Sequence, residues 1–310
     1  MTSTKSNIFL LICAAIWGFA FVAQRVGMEY VGPFTYNGIR FALGSISLLP
    51  LIFYSGRNGK KKETRIPTKN EYLQVGIIGL VLFIAASLQQ IGLIYTEAGK
   101  AAFITGLYVV MVPVVGILLL KHEVSKNTLL GAAAAAVGLY LLSVKAGFTV
   151  GTGDIYVLIG AFFWTAHILL VDRLVKTFNA LKLAQIQFII CSALSLLTAL
   201  IFEEFNLPDI MLAAAPILYG GVFSVGVAYT LQILGQKGAH PSHAAIILSL
   251  ETVFGAVGGY LLIDERLGGR EYIGCLLMLM GMIISQYKRS PRVEPPMVEQ
   301  YEPPEEKNSL

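Results

Sequence analysis

Ten apolar runs, each about 20 residues long, follow one another through this chain with short polar breaks between them. At about 1.5 Å of rise per residue, a helix of that length matches the roughly 30 Å hydrocarbon core of a bilayer. A segment in lipid must satisfy its own backbone hydrogen bonds, so the runs are expected to be helices. They cover 8–27, 34–54, 72–95, 100–120, 128–146, 154–175, 182–203, 210–232, 242–262 and 271–287. The punctuation is Pro, Gly or charge: Gly32-Pro33, Pro67, Lys121-His122, Gly151-Thr152-Gly153, Pro208-Asp209, Pro241 and Gly268-Gly269. Only 14% of residues are charged and 55% are hydrophobic, whereas soluble domains carry about 25% charge. The first run exceeds the core of about 7–15 residues that a signal peptide uses, and it is read as the first span.

Several function classes fall away. The net charge of +4 is no nucleic-acid footprint, because the basic residues are confined to short segments between apolar runs. Cys13, Cys191 and Cys275 all sit inside apolar runs, so neither a disulfide framework nor a metal-ligand spacing is indicated. Gly99-Lys100 lacks the spacing and the following Ser or Thr of a phosphate loop, and His122-Glu123 lacks the second His of a zinc-protease helix. There is no nucleophile elbow, and no acid cluster suggests a metal. No cofactor and no metal are therefore expected.

Lys and Arg set an orientation. With the N-terminus inside, the cytoplasmic connections hold Arg57, Lys60, Lys61, Lys62, Arg65 and Lys69, then Lys121 and Lys126, then Arg173, Lys176 and Lys182. The other side holds only scattered charges such as Arg25, Lys100 and Lys145. By the positive-inside rule both termini are expected in the cytoplasm, with the chain in the cell (inner) membrane. Residues 288–310, rich in Pro and Glu and without apolar periodicity, are expected to form a disordered cytoplasmic tail.

An internal repeat runs beneath the spans. Ala-Ile-Trp around Trp17 answers Phe-Phe-Trp around Trp164, and Arg40-Phe41 answers Gln187-Phe188 at the same interval. The run 107–124 ends on Glu123 as 248–267 ends on Glu265, and Gly131/Gly138 answer Gly274/Gly281. Residues 1–146 and 154–287 are thus expected to be two five-helix halves. Five is odd, so the second half must enter from the opposite face. The fold expected is an all-α integral membrane protein of ten transmembrane helices in two inverted five-helix repeats, a plan that secondary transporters use to alternate access around a midplane site.

At this point the chain resembles the EamA-type ten-helix carriers of the drug/metabolite transporter superfamily. The residues that carry the resemblance are Trp17-Gly18, Arg40-Phe41, Tyr95-Thr96 through Ala101-Ala102, Leu250 to Phe254, Asp264-Glu265-Arg266-Leu267 and the Gly274/Gly281 pair. It covers all but the ends of the chain. The family usually has Pro after the helix-nine glutamate, where Thr252 stands here, so the sequence offers no ground for a helix break at that point. Val109 occupies the place of that glutamate in the first copy. The resemblance implies export, less often import, of small organic metabolites, usually without ATP, with amino acids, nucleotide-like compounds, sugars and drugs all among family substrates.

The residues that could serve such a task are polar or aromatic groups within spans. Glu251 lies about 15 Å into helix nine, where a charged side chain on an isolated helix costs at least about 2.5–3.5 kcal/mol. It reads either as a carboxylate responsive to protons or substrate or as a structural acid. Arg40 could pair with Glu251, bind an anionic group, or snorkel to the outer interface. Trp17 and Trp164 are mid-span and could wall opposite sides of a cavity or simply pack. His167, one turn from Trp164 on the same face, adds a titratable group. Gln90, Tyr108, Tyr229 and Gln232 complete the set, as cavity lining or as ties between helices. The partners expected are a small-molecule substrate and the lipid bilayer, with a proton or counter-substrate as the coupling species and no nucleic acid. Three functions stay open: a transporter, a non-transporting receptor or scaffold, and a membrane enzyme, the last lacking clustered His, Asp or Ser near an interface.

Overall fold

The structure is a computed structural model that describes residues 3–58, 67–144, 150–263 and 268–286. Every regular element among them is helical. In chain order they are α1 (Ser3–Gly27), α2 (Pro33–Asn58), α3 (Lys69–Tyr95), α4 (Ala98–Gly106), α5 (Tyr108–Leu118), α6 (Lys126–Ser143), α7 (Thr152–Leu174) and α8 (Ala180–Phe202). The chain continues through α9 (Leu207–Leu212), α10 (Ala214–Leu218), a π-helix (Tyr219–Tyr229), α11 (Thr230–Gln236), α12 (Pro241–Leu248), α13 (Glu251–Ile263) and α14 (Gly269–Gln286).

Local chemistry explains most starts. Thr68 and Glu71 form a reciprocal capping box at α3, Ser125 accepts from Thr128 N at α6, and Asn179 accepts from Leu181 N and Lys182 N at α8. These bonds satisfy backbone donors that a helix start leaves free. Pro33 opens α2 and Pro241 opens α12, where the missing N–H costs nothing.

Eight segments among the described residues are long and apolar enough to cross a membrane, from Thr4–Gly27 to Pro241–Gly258. The expected fifth and tenth spans are α6 and α14, 18 residues each, which fall outside that set. The outer faces carry Leu119, Ile201 and Phe202 at 73–75% exposure, a surface suited to lipid rather than water. The Asp264–Arg266 turn, the Arg57–Lys69 connection beyond Asn58 up to Ile66, and the 288–310 tail lie outside the described residues.

Two pairs of helices at matching places in the repeat, α6 with α14 and α2 with α8, pack on one another and run antiparallel. Gly131 meets Gly281 and Gly138 meets Gly274, so rising numbers in α6 meet falling numbers in α14. A Cβ at Gly138 would stand 2.6 Å from the Gly274 carbonyl oxygen; glycine is needed because the backbones themselves touch. The two glycine pairs that answered each other in the sequence are thus each other's contacts. Likewise in α2 and α8, Ser192 Oγ donates to Gly38 O (2.8 Å) and Gln185 Nε2 to Ser45 Oγ (2.7 Å). At the far end of that pair, Glu203 accepts from the free Phe34 and Thr35 N–H groups (2.8 and 2.7 Å), capping α2 from α8.

Two spans are interrupted at corresponding points. The fourth breaks at Leu107, where Leu107 N donates to Ile104 O and Val110 N to Leu107 O. The ninth breaks at Ser249-Leu250, where Leu250 N donates to Ile247 O and Thr252 N to Ser249 O. Each set is a tightened, three-residue turn inside a helix. Ser249 Oγ also donates to Ile246 O (2.9 Å), a side-chain bond that competes with the helical ladder. Helix nine is therefore interrupted immediately before Glu251 without any proline, a feature that Thr252 gave no reason to expect.

Candidate functional site

The breaks lie beside a small cavity of about 30 Å3, room for about one or two waters as the helices stand. Its walls come from helices of both halves. Trp17, Phe21, Gln24, Arg40, Gln89, Thr105 and Tyr108 belong to α1–α5; Trp164, Ile168, Ser224, Tyr229, Gln232 and Glu251 belong to α7, the π-helix, α11 and α13.

Tyr229 is the aromatic centre. Its ring lies edge-on to Trp17 (centroids 4.7 Å) and stacks on Trp164 (6.1 Å), with Phe41 and Phe188 behind it (5.9 and 5.8 Å). Each indole N–H is tied to the opposite half. Trp17 Nε1 donates to Ser224 O (3.2 Å), on the π-helix, and Trp164 Nε1 donates to Gln89 Oε1 (2.8 Å). Gln89 Nε2 passes the chain on to Gln24 Oε1 (3.2 Å), whose own Nε2 donates to Ala20 O (3.2 Å). Buried indoles and amides that are bonded this way are held rigidly, since losing a partner would strand a polar atom in an apolar setting.

The two ionisable groups of the wall have different company. Tyr108 Oη donates to Glu251 Oε1 (3.0 Å), and Glu251 is 4% exposed. Arg40 is 2% exposed, donates from Nε to Asn37 Oδ1 (3.0 Å), and lies 5.3 and 5.1 Å from the centroids of the Tyr36 and Phe41 rings. It forms no ion pair among the described residues. The expectation of an Arg40–Glu251 pair is not met, and nor is that of an arginine snorkelling to the interface: the side chain is buried and faces the cavity.

Seven of the nine residues singled out in the sequence therefore come together: Trp17, Arg40, Tyr108, Trp164, Tyr229, Gln232 and Glu251. Gln90 and His167 do not. Gln90 points to α1, where Nε2 donates to Gln24 O (3.2 Å). His167 is fully buried behind the wall, its Nε2 2.9 Å from Gln187 Oε1 and its ring edge-on to Trp164. Gln24, Gln89, Thr105 and Ser224 were missed. A helical wheel that placed Trp164 inside would have found none of them, because they sit on other helices. Among the described residues no group of three or more His, Cys, Asp or Glu could hold a metal ion.

A multi-pass helical bundle with a polar and aromatic cavity between its two halves has the build of a membrane transporter. The chain belongs to the EamA-like transporter family, whose model matches residues 4–144 and again 151–287. An uncharacterized transporter of Archaeoglobus fulgidus is 31% identical over 284 residues, covering 90% of this chain and 85% of the relative. The uncharacterized transporter YoaV of Bacillus subtilis is 20% identical over 296 residues, with 93% and 99% covered. A solved crystal structure with 18% identity superposes at a TM-score of 0.76 over 92% of this chain and 97% of its own, a likeness of fold. Family and relatives alike indicate a transporter rather than an enzyme, acting on a small molecule within a lipid environment.

Proposed function

We propose that the protein is a secondary transporter that moves a small organic metabolite, an amino acid or a drug-like compound across the cell membrane by alternating access. The observation that carries this reading is the cavity itself, walled by residues from both family matches. On this reading residues 1–146 and 154–287 are inverted five-helix halves and both termini are cytoplasmic. Support for inversion comes from the antiparallel contacts of α6 with α14 and of α2 with α8. Movement of the halves would exchange the bonds that cross between them, Trp17–Ser224 and Trp164–Gln89, for others that open the cavity to the second face. Outward transport is the sense favoured by the resemblance to EamA-type carriers. Glu251 is the candidate for carrying a proton in exchange, being the one carboxylate among the described residues of the cavity wall and the first residue after the helix-nine break.

The test is flux in proteoliposomes. A metabolite panel screened by thermal shift would supply ligands, and labelled ligand would then be followed with and without an imposed pH gradient. Saturable flux above protein-free vesicles is the expected result. Saturable binding of those ligands with no flux under any ion gradient would replace this reading with a receptor.

A further inference from the structure

The cavity wall is unevenly provided with partners. Both indole N–H groups, Gln89 and Glu251 are bonded to other parts of the protein. Other wall groups are less fully bonded, Arg40 and Gln232 among them. Arg40 spends its Nε on Asn37 and makes no other hydrogen bond among the described residues, although it is 2% exposed and lines the cavity. Gln232, 1% exposed in the same wall, has an Oε1 with no donor. The same wall holds the ring of Tyr229, flanked by Trp17 and Trp164.

A buried guanidinium without a carboxylate is costly unless an anion reaches it, and its planar fork suits a carboxylate. Ring faces at 5.1–5.3 Å ease the cost on the apolar side of the group, but they supply no acceptor to its terminal nitrogens. An orphaned amide oxygen likewise asks for an N–H or O–H donor. The repeat partner of Arg40 is the neutral Gln187, whose Oε1 is already engaged by His167. The positive charge is thus one-sided.

We infer that the cavity, once widened as its two halves part, takes a small organic carboxylate with a flat apolar body and one hydrogen-bond donor. The carboxylate meets Arg40, the body lies among Trp17, Trp164 and Tyr229, and the donor reaches Gln232 Oε1. This names the substrate class of the proposed transporter and rests on that reading for the site, although ligand binding can be measured without transport.

The chain provides its own probe. It contains two tryptophans, Trp17 and Trp164, and both line the cavity, so indole emission reports occupancy directly. Purified protein in detergent would be titrated with 4-hydroxyphenylacetate, its amide and tyramine, with excitation at the red edge of the indole band. The expected result is a saturable change with the carboxylate at about tenfold or more higher affinity than the amide, and weaker still with the amine. Arg40→Gln should remove that advantage, so that the carboxylate no longer binds more tightly than the amide. An amide that binds as tightly as the carboxylate, a preferred amine, or no saturable change with any of the three overturns the inference, and these outcomes need no variant. Carboxylate binding without flux would sink the transport reading alone; flux of the amine without carboxylate binding would sink the carboxylate alone.

Discussion

Tyr108 and Glu251 join the two interrupted spans to each other. Tyr108 is the first residue after the break in the fourth span, and Glu251 the first residue after the break in the ninth. The phenol donates to the carboxyl at 3.0 Å inside the membrane-spanning bundle. In the repeat, Val109 holds the place of Glu251, so one break carries the acid and the other supplies its donor. This contact pins together the two segments that alternating access would have to move, and it bears on the cavity they share.

Removing the donor tests how far the contact holds the fold. Tyr108→Phe keeps the ring but leaves a carboxyl that is 4% exposed without a partner. The expected loss of stability is about 1–3 kcal/mol, read as a lower melting temperature in detergent. An unchanged melt would mean that Glu251 finds another donor or water.

Glu251→Gln preserves shape and leaves an oxygen to accept from Tyr108, but it cannot release a proton. If the acid carries the coupling proton, flux driven by an imposed pH gradient should fall at least about tenfold, with ligand-for-ligand exchange retained. Equal gradient-driven flux in the variant and the parent would remove Glu251 from the coupling.

The α6–α14 seam is expected to be intolerant. With a Cβ at Gly138 only 2.6 Å from Gly274 O, Gly138→Val must push two backbones apart, at about 1–3 kcal/mol or more. Loss of the monodisperse peak in size-exclusion chromatography is the outcome expected. Gly76→Ala is the matched control. Nothing lies within 4 Å of the added Cβ, and the variant should be neutral or more stable by about 0.5–1 kcal/mol.

Inversion can be read from labelling. Lys126 and Arg270 stand at the N-terminal ends of the repeat-related α6 and α14, and both are exposed. In a background without the three native cysteines, Lys126→Cys and Arg270→Cys should react with an impermeant maleimide from opposite faces of the membrane. Reaction from one common face would refute the inverted halves.

Much of this architecture is legible in the linear chain. Hydrophobicity and the need of each backbone segment for its own hydrogen bonds act locally, so apolar length alone locates the helices. Their caps, such as Thr68 with Glu71, are equally local. Matching residues along the chain, such as Trp17 with Trp164, reveal the two copies that the family model also finds. What only the tertiary structure decided is which polar group faces which neighbour. That depends on the rotation of each helix about its axis and on contacts far apart in sequence. Gln89 enters the cavity while its neighbour Gln90 turns to α1, and the difference is one step of about 100° around the helix. His167 shares a face with Trp164 yet stands behind it, because Gln187 of α8 holds it there. The break before Glu251 arises from bonds between Ser249 and its own turn, with no proline to announce it. The membrane sets the helices, and their packing against one another sets the site.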